Sequence, residues 1–213
     1  MLLETVTGRM VDIINPTPDQ ININDIAWGL SRIPRFAGHT ITSVPYNVAQ
    51  HSLLVEEIVR DLLKFIDDTA DDSVQEALAT WFNEEIEQTF DLSASRLSLK
   101  ALLHDSAEVY IGDVPSPVKK HPSINSAIKE IEGKLMSCIF KKYSLCEMSP
   151  AEKVIIHHAD LVARAIEAHA FMHSRGTGWG LPKVSLIRLQ KFEPPMTSVV
   201  SYEKFLEKFN ELY

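Results

Sequence analysis

Apolar side chains recur at three- and four-residue intervals along most of this 213-residue chain. That spacing restricts it to a fold whose core is made of packed helix faces. Ile26, Ala27, Leu30 and Ile33 form one stripe, with Asn24 or Asp25 available as its cap and Pro34 as its stop. A second stripe runs from His51 through Val55, Ile58 and Leu62, and a third through Val74, Ala77, Leu78, Trp81, Phe82, Ile86 and Phe90. A fourth helix is expected from about Asp91 to Tyr110, ending at Gly112 before the rigid run from Val114 to Pro117. Further helices are expected over 125–143 and from Pro150 to about Ser174, and a closing one carries Tyr202, Phe205, Leu206, Phe209 and Leu212 on one side. Residues 5 to 14, β-branched around Gly8 and stopped by Asn15-Pro16, depart from this period and read as a small β-hairpin, and residues 175 to 184 are Gly-rich and irregular. The expectation is an all-α bundle with a small N-terminal β-hairpin. It forms a single domain over 1–213, with a helical insertion around 67–92 and a C-terminal docking helix around 198–213.

Charge narrows the partners. With 29 acidic against 21 basic residues, the formal net charge is −8, which opposes non-specific attraction to polymeric nucleic acid or to an anionic membrane. No stretch reaches the ~18 apolar residues that a membrane span needs, and the first 14 residues lack the pattern of a signal peptide. Cys138 and Cys146 fit neither a disulfide framework nor a paired zinc motif, and Cys138 falls on an apolar stripe with Ile131, Leu135 and Ile139. A cytoplasmic, reducing location is expected.

One helical stretch breaks the rule that core faces carry leucine. Ala101, His104, Asp105 and Glu108 stand at i, i+3, i+4 and i+7, so on a regular helix they share one face. Buried charges need pairing or a metal, and a divalent cation is the simplest compensation. Joined by a second imidazole and a second carboxylate, such a set suits Mn, Fe, Co, Ni or Zn better than Ca or Mg. His51 and Asp160 are further polar intrusions into apolar stripes. His157, three before Asp160, lies near its face, and His39 follows Gly38 in a loop.

The order His51, then His104-Asp105, then Asp160 resembles the signature of the HD-domain metal-dependent phosphohydrolases. The run from His104 to Lys119 is similar to the HD-x-x-E-x-x-x-G-D-x-P-x-P-x-K pattern of the YfbR-type 5′-deoxynucleotidases and their prophage and phage relatives, which include deoxyadenosine triphosphate triphosphohydrolases. Arg35-Phe36 resembles the Arg-aromatic element of that family, with Phe where Trp is frequent. The resemblance implies an HD-domain helical bundle and one divalent transition metal ion (Co, Mn, Zn, Ni or Fe) on His51, His104, Asp105 and Asp160, with additional Mg on substrate phosphates. It further implies Glu108 and Asp113 as acid and base groups, and Arg35, Phe36, Ser116 and Lys119 around the substrate. The implied activity is hydrolysis of a 2′-deoxynucleotide at its 5′-phosphoester, releasing deoxynucleoside plus phosphate or triphosphate, in a homo-oligomer of two or more chains. The alternative is a regulatory HD protein that holds nucleotide and metal without turnover.

Overall fold

The computed structural model describes residues 2–64, 72–85, 90–185, 189 and 192–213. It is helical apart from one antiparallel hairpin, β1 (Leu2–Glu4) with β2 (Met10–Asp12), in which Leu3 faces Val11. The expected hairpin is present, but its first strand lies ahead of residue 5 and residues 5–9 form the turn. Helix α1 (Ile23–Leu30) is capped by Asn22, whose side chain accepts from the Asn24 N–H, and not by Asn24 or Asp25. Asp25 is instead buried and accepts from the backbone N–H and hydroxyl of Thr7, tying the hairpin to the helix.

Helix α2 (Val48–Lys64) is the central element and packs on α4 (Phe90–Leu102) and on α8 (Pro150–Phe171). Helix α3 (Asp72–Glu85) lies against α8 and buries Val74, Ala77, Leu78 and Trp81 there. Helix α3 thus belongs to the core, with Trp81 as a buried anchor. Residues 67–71 and 86–89, and the side chains of Phe82, Ile86 and Phe90, lie outside what is described. Two short helices, α5 (Glu108–Ile111) and α6 (Ser116–Lys119), precede α7 (Pro122–Lys142). The closing helix α9 (Ser198–Leu212) covers α1, α2 and α4 through buried Phe205 and Phe209. Side chains such as these contribute roughly 1.5–3 kcal/mol each when fully buried. Gly29 of α1 meets α5 so closely that a Cβ there would overlap Val109. Cys138 is buried in the cluster with Leu135 and Ile139, as its stripe predicts.

The fourth helix is not continuous to Tyr110. After Leu102 the backbone tightens: Ser106 N–H bonds to Leu103, Glu108 to Asp105, and Tyr110 to Ala107, all three residues back rather than four. The periodicity of the side chains survives this change, so the sequence alone does not show it. It falls at the expected site, where the side chains of adjacent His104 and Asp105 meet, His104 Nε2 lying 3.2 Å from Asp105 Oδ2. Among the described residues, no helix is long and apolar enough to cross a membrane.

Candidate active site

Three elements converge at the centre of the bundle. His51 comes from the first turn of α2, His104 and Asp105 from the tightened segment after α4, and Asp160 from the middle of α8. One ligating atom each of His51, His104 and Asp160 lies within 4.8 Å of the others. Asp105 Oδ2 joins them, 3.5 Å from His51 Nε2 and 3.2 Å from His104 Nε2. Asp160 Oδ1 stands 3.2 Å from His51 Nε2, while its Oδ2 accepts from Arg164 at 2.9 Å.

The imidazoles are oriented from behind. His51 Nδ1 lies 2.6 Å from Glu167 Oε1, and His104 Nδ1 lies 2.8 Å from the Ala101 carbonyl oxygen. A carbonyl can only accept, so His104 carries its proton on Nδ1, and the carboxylate enforces the same tautomer in His51. Both Nε2 atoms are buried and have no hydrogen-bond partner. Two lone pairs aimed into a space that also holds two carboxylates form a donor set that fits a divalent transition metal, with Glu167 in the supporting place such ligands usually have. The wider site places five acidic side chains, Asp105, Glu108, Asp113, Asp160 and Glu167, against Arg35, Lys119, Lys120 and Arg164. The formal balance is negative, which favours a cation.

The ionisation pattern follows the same geometry. Burial and the Arg35 charge oppose the imidazolium of His51, but Glu167 and Asp160 outweigh them and it is pushed up to about 9, so Nε2 takes either a proton or a cation. Burial disfavours the charge on Asp105, yet His104, His51 and Arg35 hold it well below the ordinary carboxylate range. Asp160 is lowered too, by His51 and Arg164 against its burial. Glu108 goes the other way: burial, then the charges of Asp105 and Asp113, raise it well above the usual range despite Lys119 and Arg35. Burial raises Asp113 in the same direction. Glu108 Oε1 takes the Lys119 ammonium at 3.1 Å, whereas its Oε2 is buried without a partner.

A cavity of about 730 Å³ opens from this centre. Every residue expected around the substrate lines it: Arg35, Phe36, Ser116 and Lys119, together with Asp105, Glu108, Asp113 and Asp160. Arg35 is buried, with Glu167 at 3.3 Å, Asp113 at 3.8 Å and Asp105 at 4.0 Å from its guanidinium. Phe36 and Ala37 both adopt left-handed backbone, φ 55° and 50°, a conformation that costs a residue with a Cβ roughly 1–2 kcal/mol. Gly112, at φ 83° and ψ 161°, occupies a region open only to glycine and turns Asp113 toward Arg35. Lys119 bridges Glu108 and Glu132.

Sequence reasoning missed three residues here. Glu167 is fully buried and holds both His51 and Arg35. Its signal was available, since it is a charged residue seven positions after Asp160 within an apolar stretch of α8. Arg164 was legible as an i+4 partner of Asp160. Trp179, on the loop after α8, lines the cavity, and no local pattern marks it. His157 and His39 are exposed and do not join the cluster.

Comparison with known proteins agrees with this architecture. The profile of the YfbR-like 5′-deoxynucleotidases matches residues 26–172. An uncharacterized protein of Rhodobacter capsulatus is 33% identical over 164 residues, covering 76% of this chain and 69% of its own length. The Escherichia coli protein YfdR is 28% identical over 99% of this chain and 94% of its own. A 5′-deoxynucleotidase of Vibrio parahaemolyticus is 30% identical over 78% of this chain and 80% of its own. The chain belongs to the YfbR-like 5′-deoxynucleotidase family.

Proposed function

We propose that the chain is an HD-type metal-dependent phosphohydrolase that cleaves 2′-deoxynucleoside 5′-monophosphates to deoxynucleoside and inorganic phosphate. The observation that carries this is the pair of buried Nε2 atoms, each fixed from behind and unpartnered in front, beside Asp105 and Asp160 at the floor of an anion-capable cavity. His51, His104, Asp105 and Asp160 hold the cation. When bound, a divalent cation supplies Lewis acidity toward a phosphate oxygen and lowers the pKa of water. Glu108 offers its unpartnered Oε2 to accept a proton from the attacking water, and Lys119 keeps its other oxygen in place. Asp113, raised by burial, is poised to protonate the departing 5′-oxygen. Arg35 orients the phosphate, with Ser116 on the cavity wall as a further donor.

Arg35, Lys119 and Arg164 are each already paired with a carboxylate, and Lys120 is the further cation on the cavity wall. One additional cation suits a single phosphate group better than three. Relatives named 5′-deoxynucleotidases point the same way.

The test is a panel of ribo- and deoxynucleoside mono-, di- and triphosphates, incubated with cobalt- or manganese-loaded protein and resolved by chromatography. Deoxynucleosides released from monophosphates support the reading, and Asp105→Ala loses metal and turnover together. Triphosphate as product would replace the monophosphate assignment. No product from any substrate would favour the regulatory alternative.

A further inference from the structure

We infer that Trp179 is a specificity-determining residue which, with Phe36, forms an aromatic corner that receives the base of the nucleotide and favours purines. The inference rests on the phosphohydrolase reading for the phosphate end of the ligand. The corner itself stands on separate observations.

The two rings come from distant parts of the chain. Phe36 sits in the turn after Pro34, on backbone held left-handed at φ 55°. Trp179 sits in the loop after α8, where consecutive turns are closed by bonds from Arg175 N–H to Met172, Thr177 N–H to Ser174, and Trp179 N–H to Gly176. Both line the same cavity, with ring centroids 6.0 Å apart and planes inclined at 51°. Trp179 is nonetheless 42% exposed, a large apolar surface left uncovered at the mouth of a site. The neighbouring walls, Val114, Pro115, Pro117 and Leu181, are apolar.

The Arg35 guanidinium carbon lies 5.7 Å from the Phe36 ring centre, and the Phe36 and Trp179 ring centres are 6.0 Å apart, so Phe36 neighbours both. A phosphate at Arg35 therefore directs the sugar past Phe36 and the base onto Trp179. At 6.0 Å the rings are too close to sandwich a third ring, which needs about two contact distances of ~3.5 Å. The inclined pair offers a corner instead, with one face of the base on the indole and its edge against the phenyl group. Stacking on an aromatic side chain accepts any base, and the larger face of a purine gains more. No charged group is needed at that end, which fits the apolar walls.

The experiment compares wild type, Trp179→Ala and Trp179→Phe as full-length, metal-loaded proteins. With deoxyadenosine monophosphate, Trp179→Ala should raise KM about tenfold with kcat within about twofold, and Trp179→Phe should restore most of the loss. The purine preference in kcat/KM over deoxycytidine monophosphate should shrink in the alanine variant. A second readout needs no hydrolysis. 2′-Deoxyadenosine should quench tryptophan emission in wild type but not in Trp179→Phe, where Trp28 and Trp81 remain. If wild type turns over deoxynucleotides while neither KM nor quenching depends on position 179, the corner is overturned and the hydrolase reading stands. If quenching depends on Trp179 while no nucleotide is hydrolysed, the corner stands and the hydrolase reading falls.

Discussion

Two buried charge clusters connect the helices that build the site, and they differ in how completely they are satisfied. Near the start of α8, Lys100 Nζ reaches both carboxylate oxygens of Glu152, at 2.6 and 2.7 Å. Glu152 also accepts from Ser149 N–H at 2.7 Å and so completes the capping box that starts the helix. That cluster is closed. One turn beyond Lys100 and two turns beyond Glu152, the second cluster gathers His51, His104, Asp105, Asp160, Glu167 and Arg35, yet leaves His51 Nε2, His104 Nε2 and Glu108 Oε2 buried and unpartnered. Both clusters bury charge among apolar helices, so burial alone does not mark a functional site. Single unpartnered atoms such as Ser52 Oγ and Tyr143 Oη also lie away from the cavity, so it is the gathering of three of them beside carboxylates that marks the site, because each costs roughly 1–3 kcal/mol unless a ligand completes it.

The contrast breaks most sharply at Glu108. Glu108→Gln should lower kcat by about 10²–10⁴-fold, the usual contribution of a positioned proton acceptor, while metal content measured by elemental analysis is retained. The pH profile carries the sign. Protonated Glu108 cannot accept a proton, so wild-type kcat/KM should fall as pH drops through a pKa above the ordinary glutamate value of ~4.3. Burial and the two flanking carboxylates push that limb up to about 9, and the variant should lose it. Full activity in Glu108→Gln would remove this residue from the chemistry.

Next in size is the closed cluster. Lys100→Met strands a buried carboxylate and should cost about 3–5 kcal/mol in urea denaturation, with kcat of the folded fraction changed only a few-fold. Lys100→Met/Glu152→Gln should recover part of that loss, since the amide still caps Ser149. If activity instead fell as steeply as stability, the division into a closed structural pair and an open functional one would fail.

The smallest expected effect sharpens the contrast from inside the open cluster. Glu167→Gln keeps an acceptor for His51 but removes the charge behind it, and should weaken metal affinity by about 10–100-fold in calorimetric titration. Saturating metal should recover most of kcat. Unchanged affinity would reduce Glu167 to a packing role.

Much of this was legible in the chain. Among the described residues the long stripes lie on helices, the fourth broken after Leu102, and the polar intrusions at His51, His104, Asp105 and Asp160 were the residues brought together. Glu108, Asp113, Arg35, Phe36, Ser116 and Lys119 all reached the cavity. The cap of α1 and the break after Leu102 were not legible, because neighbouring Asn and Asp residues compete equally for a cap and a 3₁₀ turn leaves the apolar spacing almost unchanged.

What the sequence determined by itself is therefore which faces are apolar and which polar residues interrupt them, since both are properties of local spacing. The tertiary structure decided the rest: that Glu167 stands behind His51 across 116 positions and beside Arg35 across 132, and that Trp179 meets Phe36. The physical reason is that contacts between distant segments depend on how helices cross and where loops return. A periodic pattern constrains which side of a helix is buried, but not which residue of another helix it meets there.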